Sequence, residues 1–382
     1  VLLGLLPLLG LGVLLASILT NGVGVGRSDA PPVEDLTVGR VSLPTEHEFV
    51  VHVQNGGPNP VTLEQVVVND ALWDFRVQPD NRVPRLGSAE VVIPYTWVEG
   101  EAYEIVLISE TGTTFDAEVP VAVLTPGFSG ETFSSYALIG FYVGVVPVTL
   151  GLLWYPFLRR LGNEGLNFVL ALTVGLLIFL ALDTLLEGVE IASELPGAFS
   201  GVPMVILVAL LTLFALLGVE RLFQREGASR LATSYRIALG IGLHNLGEGL
   251  AIGAAFALGE AALGTFLILG FTLHNITEGV GIAAPVLKEK RPHFAHFAAL
   301  ALLGGGPAIV GTWIGGFAYS NLLTAVFLAV GVGAIVQVVY EVGRLLLRDS
   351  ARSKTPALSG TNLGGLTAGI AIMYVTALLV SV

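Results

Sequence analysis

From residue 134 to the end, the chain is a succession of long apolar runs, and that feature excludes most folds. A run of about 20 apolar residues crosses a bilayer as a helix, because a helix satisfies its own backbone N–H and C=O groups where no water can. Eight such runs lie near residues 134–158, 165–186, 199–222, 232–258, 260–286, 294–318, 321–347 and 362–382. Only 13% of the whole chain is charged, against roughly a quarter in an ordinary soluble domain. Residues 132–382 therefore predict an all-α polytopic membrane domain.

The part before it differs in kind. Residues 1–20, VLLGLLPLLGLGVLLASILT, carry no charge and predict a transmembrane anchor over 1–21. The alternative is a signal peptide, whose apolar core is shorter than this run. Residues 22–131 become β-branched and alternating, as in EFVVHVQNGG, AEVVIPYTWV and YEIVLISETG, with turn signals such as NGGPNP between them. Short strands at this spacing predict an all-β sandwich. His52 and Glu48 share a strand face there by the period of two.

Charge separates the two halves. Residues 22–131 hold 17 acidic and 5 basic residues, which is the entire net charge of −12. They contain no lysine. Such a surface suits a salty medium, where screening removes self-repulsion, and it argues against a nucleic-acid partner. In the membrane half every basic residue follows an odd-numbered span. Arg159 and Arg160 follow the first, and Arg221, Arg225, Arg230 and Arg236 surround the link after the third. Lys288, Lys290 and Arg291 follow the fifth; Arg344, Arg348, Arg352 and Lys354 follow the seventh. The positive-inside rule places these loops in the cytoplasm, which leaves the β-domain and the C-terminus outside the cell membrane.

Two segments break the apolar pattern in the same way, HNLGEG at 244–249 and HNITEG at 274–279. Residues four apart share a helix face, so His244 faces the same way as Glu248, and His274 the same way as Glu278. Asn245 and Asn275 stand about 100° round each helix. Each helix thus offers an imidazole, a carboxylate and an amide oxygen. With no cysteine in the chain, this is the donor set for a divalent first-row metal. An ionised acid at mid-bilayer costs roughly 2.5–3.5 kcal/mol, and such groups mark ion or proton paths. The plainer reading is hydrogen-bond glue between helices, worth about 0.6 kcal/mol per contact. A duplicated motif with two acids is poorly explained by that. Asp183, Glu187 and Glu190 follow helical spacing near one end of the second span and could draw cations toward the site. Gln337 and Glu341 share a face of the seventh, where Glu341 either lines an exit path or pairs with Arg344 or Arg348. His293 and His296 open the sixth span and read as solvated interfacial groups.

The paired motifs on adjacent helices of an eight-span domain resemble the ZIP family of divalent metal transporters. The likeness is to the bacterial and archaeal branch, and covers about residues 134–382. It implies a 3+2+3 bundle in which the outer triplets are inverted repeats, and a metal site on the fourth and fifth spans. His244, Glu248, His274 and Glu278 would be ligands, the two glutamates bridging two metals, with Asn245 and Asn275 completing the second position. It also implies uptake of Zn²⁺, Fe²⁺ or a similar ion into the cytoplasm, by one proposed mechanism an elevator-like slide of the central helices. The metal is then cargo, with no resident cofactor and no catalysis. Three positions depart from the family pattern. Gly247 and Thr277 stand where it has proline, Gly306 stands where it has a glutamate in the sixth span, and the third loop has no histidine. The alternatives are a metal-dependent intramembrane hydrolase, with three ligands and an open water position, and a metal sensor. For the β-domain the sequence leaves open partner binding, a homodimer contact or a shield over the entrance.

Overall fold

The computed structural model describes residues 6–21, 33–223, 229–288, 291–352 and 356–378. Residues 1–5, 22–32 and 379–382, with the loop cations Arg225, Lys290 and Lys354, lie outside the described residues. The N-terminal segment forms a unit of its own. Its described helix, Leu6–Asn21, carries no charge.

Among the described residues nine strands build the β-domain: β1 (Leu36–Thr45), β2 (Glu48–Asn55), β3 (Val61–Val68), β4 (Ala71–Trp73), β5 (Arg76–Gln78), β6 (Arg82–Val83), β7 (Ser88–Ile93), β8 (Tyr103–Ser109) and β9 (Thr114–Val119). They form two antiparallel sheets, β1-β2-β7-β5 and β4-β3-β8-β9, with β6 against β3. Alternation decides which face is buried: Phe49, Val51 and Val53 of β2 point inward and meet Val66, Ile105 and Leu107 of the second sheet in one core.

His52 lies on the opposite face of β2. Its Nδ1 is 3.6 Å from Glu90 of β7, and its Nε2 is 3.0 Å from Ser42 Oγ of β1. The expected partner Glu48 is displaced by Glu90. Residues four apart on a strand are about 13 Å apart, whereas directly opposite residues are about 5 Å apart, and His52 is opposite Glu90. Burial, then the Arg40 charge, hold the His52 imidazole below its ordinary value, against the pull of Glu90. The unfolded chain therefore takes up a proton more readily than the folded one. This contribution to stability is complete above about pH 6.5, the unfolded value, and is lost as pH falls from there through the lower folded-state value. Protection factors of β2 and β7 amides, taken relative to the intrinsic exchange rate at each pH, should fall between pH 7 and 5 in the intact protein, and less so in His52→Gln. An equal fall in both would remove His52 as the cause.

Among the described residues eight helices are long and apolar enough to cross a membrane: Gly130–Leu158, Asn163–Ser193, Gly201–Val219, Arg230–Ala257, Ala261–Lys288, Phe294–Ala318, Asn321–Arg352 and Gly360–Leu378. They match the eight expected runs. The second is longer than expected, because nothing stops it before Pro196. Asp183 and Glu187 thus lie inside a helix of 31 residues.

The spans pack as two groups. Spans one, four, five and six form one, and spans two, three, seven and eight the other. Glycines mark the contacts within each group. A Cβ at Gly249 would fall on the carbonyl of Ala308, one at Gly279 on that of Val148, one at Gly175 on that of Leu366 and one at Gly333 on that of Ala209. Only small residues allow backbones this close. At three glycines between the groups a side chain is met first: Gly240 faces Val338, Gly247 faces Leu328 and Gly281 faces Thr173.

The β-domain sits on the loops that lack basic residues. Gly56 abuts Pro196, the Gly197 N–H donates to Asp35 Oδ2 at 3.3 Å, and Val123 abuts Gly259. At the far face an ion cluster joins the two groups. Arg230 of span four binds Asp349 of span seven through both guanidinium nitrogens, at 2.6 and 3.2 Å. Lys288 of span five reaches Asp349 at 2.9 Å and Asn167 of span two at 3.1 Å. Asp349→Ala leaves two cations facing each other. We expect a loss on the order of 2 kcal/mol, between the values for exposed and fully buried pairs. A detergent-phase melting curve measures it, and an unchanged midpoint would mean the cluster contributes nothing.

Candidate metal centre

The two motifs face each other across the contact of spans four and five. Both imidazoles turn to one carboxylate. His244 Nε2 lies 3.0 Å from Glu248 Oε1, and His274 Nε2 makes a short contact with the same oxygen. The other oxygen, Oε2, accepts from Asn275 Nδ2 at 3.1 Å. His244, Glu248 and His274 are buried, and each offers a ligand atom within 4.8 Å of the others. Two nitrogens and a carboxylate at that spacing fit one divalent cation.

Glu278 is held differently. It is as buried as Glu248, yet neither of its oxygens accepts a hydrogen bond among the described residues. The two motifs are equivalent in sequence and unequal in the folded protein.

The asparagines are fixed by irregularities in neighbouring helices. Span one contains a π-helical turn, Phe141–Val145, and Asn275 Nδ2 donates to the Val143 carbonyl at 3.0 Å. Span six is interrupted at Gly306–Pro307, and Asn245 Nδ2 donates to the Gly304 carbonyl at 2.9 Å. π-Turns and proline breaks disturb the regular carbonyl ladder and occur often at functional sites. With the amide nitrogens so engaged, both Oδ1 atoms are buried without a hydrogen-bond partner. They are the atoms a cation would use.

The departures from the family pattern have local consequences. Span four is a continuous helix through Gly247. Thr277 Oγ1 donates back to the His274 carbonyl at 2.6 Å, which holds the hydroxyl on its own helix. Gly306 supplies no side chain to the site.

Other expected residues divide by location. Asp183 is within electrostatic reach of His244, His274 and Glu248, and Glu187 of Asp183, His244 and Glu248. Gln337 is buried on span seven. Glu341 pairs with Arg236 of span four at 2.8 Å, a partner that spacing along its own helix did not offer. His293 caps span six by accepting from the Ala295 N–H, and His296 bonds the Tyr235 hydroxyl. Sequence reasoning missed Thr184, whose Oγ1 is 3.4 Å from His244 Nδ1, and the carbonyls of Val143 and Gly304. The GGGP run at Gly304–Pro307 was the available sign of an interrupted helix.

Compared with known proteins, the chain matches no family model and no curated sequence.

Proposed function

We propose that this protein carries divalent transition-metal cations, Zn²⁺ or Fe²⁺ foremost, across the membrane toward the face with the basic loops. By the positive-inside rule that face is cytoplasmic and the β-domain is outside. One observation carries the reading: a buried His–Glu–His set lies on the seam between two helix groups. Span two reaches it through Thr184, and span seven through Gly331, whose added Cβ would lie 3.4 Å from His244 Cα. A structural or catalytic metal needs no such boundary. A passage does, because cargo must change its access from one side to the other.

The packing agrees with the inverted repeats that the ZIP resemblance implies. Exchanging span one with six, two with seven, three with eight and four with five maps the main contacts onto one another: four–six onto five–one, two–eight onto seven–three, four–seven onto five–two. The irregular turns pair likewise, the π-turn of span one with the break in span six. Such repeats around a midplane site are common in secondary transporters.

In this reading the cation displaces the protons shared by His244, His274 and Glu248. Glu278 and the free Oδ1 atoms offer the next position along the seam. Release follows when the groups slide past each other, which first requires the Arg230–Asp349–Lys288 cluster to part.

The test is uptake into proteoliposomes, offering Zn²⁺, Fe²⁺, Mn²⁺, Cd²⁺ and Mg²⁺ in turn. The parent should move a subset of these, and His274→Ala should abolish that movement. The unpartnered Glu278 beside three ligands also suits a general base in a metal-dependent hydrolase. Bound metal that crosses in neither orientation would favour that reading over transport.

A further inference from the structure

A cleft of about 570 Å³ separates the β-domain from the loops beneath it. Arg40, His52 and Glu90 form its β-domain wall; Pro196, Tyr319 and Asn321 belong to the helix side. Arg40 is the anomaly. The other arginines of the domain that the structure describes, Arg76, Arg82 and Arg85, are exposed, whereas Arg40 is half-buried. Among the described residues no carboxylate comes within ion-pair distance of it. Glu90 and Tyr319 act on it only at longer range, and Glu90 is turned to His52. Burial accordingly holds the guanidinium below its usual range.

A desolvated guanidinium without a close anion is costly, and the cost is offset only when an anion arrives. Its planar fork of N–H groups matches the two oxygens of a carboxylate or phosphate. His52, held below its ordinary value by burial and by the Arg40 charge, contributes less positive charge to the cleft than an exposed imidazole would. On a domain whose net charge is −12, a half-buried cation without a close anion, lining a cleft of small-molecule size, is a specific feature.

The cleft also adjoins the line of acids. Asn321 Nδ2 donates to Glu194 Oε2 at 3.2 Å. Glu194 lies at the end of the helix face that carries Asp183, Glu187 and Glu190.

We infer that this cleft binds the oxyanionic group of a small molecule, a carboxylate or a phosphate, through Arg40. The inference concerns binding and stands whether or not the protein transports metal.

Titration calorimetry on the intact protein in detergent tests it, with citrate and inorganic phosphate as separate probes. The parent should bind at least one, and the one it binds names the source of the oxyanion. Arg40→Gln should weaken that binding at least tenfold. Arg40→Lys, which keeps charge but loses the fork, should fall between. Arg76→Gln should bind as the parent does. Melting midpoints measured on the same samples report whether each variant is folded. If Arg40→Gln is unfolded, Arg40→Lys decides the question. Binding of neither probe by the parent, or undiminished binding in a folded Arg40 variant, overturns the inference.

Discussion

Glu248→Gln should reduce metal uptake more than any other conservative change in this protein. One carboxylate receives His244, His274 and Asn275, so in the proposed site it would be both a ligand and the group that orients two others. Glutamine has the same shape but only one acceptor oxygen, and its amide would confront an imidazole nitrogen. Losing an outer-shell partner typically costs roughly 10–100-fold in metal affinity; losing this ligand should cost more. Melting curves give a second readout. Ligand that binds only the folded state stabilises it by about 2.7 kcal/mol at a concentration of 100 Kd. Zinc should therefore raise the midpoint of the parent and leave that of Glu248→Gln unmoved, each compared with its own metal-free sample. A zinc-dependent shift surviving in Glu248→Gln would mean the metal is held elsewhere.

Gly249→Leu should be the most damaging change that touches no proposed ligand. A Cβ there meets the Ala308 backbone, with its carbonyl carbon 2.9 Å and Cα 3.0 Å away. Gly311 answers from span six, its added Cβ 3.0 Å from Gly249 Cα. Overfilling a packed contact costs about 1–3 kcal/mol when side chains can yield. Here the obstacle is backbone, so spans four and six must separate, and the loss should exceed that range. Span four would carry His244 and Glu248 away with it. Size-exclusion profiles should show little monodisperse protein and no bound zinc. Gly218→Leu is the control, since its added Cβ has nothing within 4 Å. Equal yields of the two variants would show that the glycine contact is not what joins the helices.

The eight spans were legible in the sequence because apolar length is a local property, read without knowing which helix touches which. The same holds for the strand alternation of the β-domain. Each motif's geometry was legible too, since four residues along a helix return to one face whatever surrounds it. The glycine after each motif glutamate announced a close helix contact, and both Gly249 and Gly279 make one. Glu341 was beyond that reach: its partner Arg236 lies more than a hundred residues away. So was His52, whose neighbour is set by strand register.

The sequence by itself determined eight membrane-length apolar runs from residue 134 onward, an acidic β-domain and two equivalent His–Asn–Glu triplets. Only the tertiary structure decided that Glu248 gathers both histidines while Glu278 stands unbonded, and that the site lies on a seam between helix groups. The reason is physical. Hydrophobic length and helical period act between near neighbours in the chain. The inequality of two identical motifs depends on what packs behind them, here a π-turn in span one and a proline break in span six, and that is settled only when all the helices have come together.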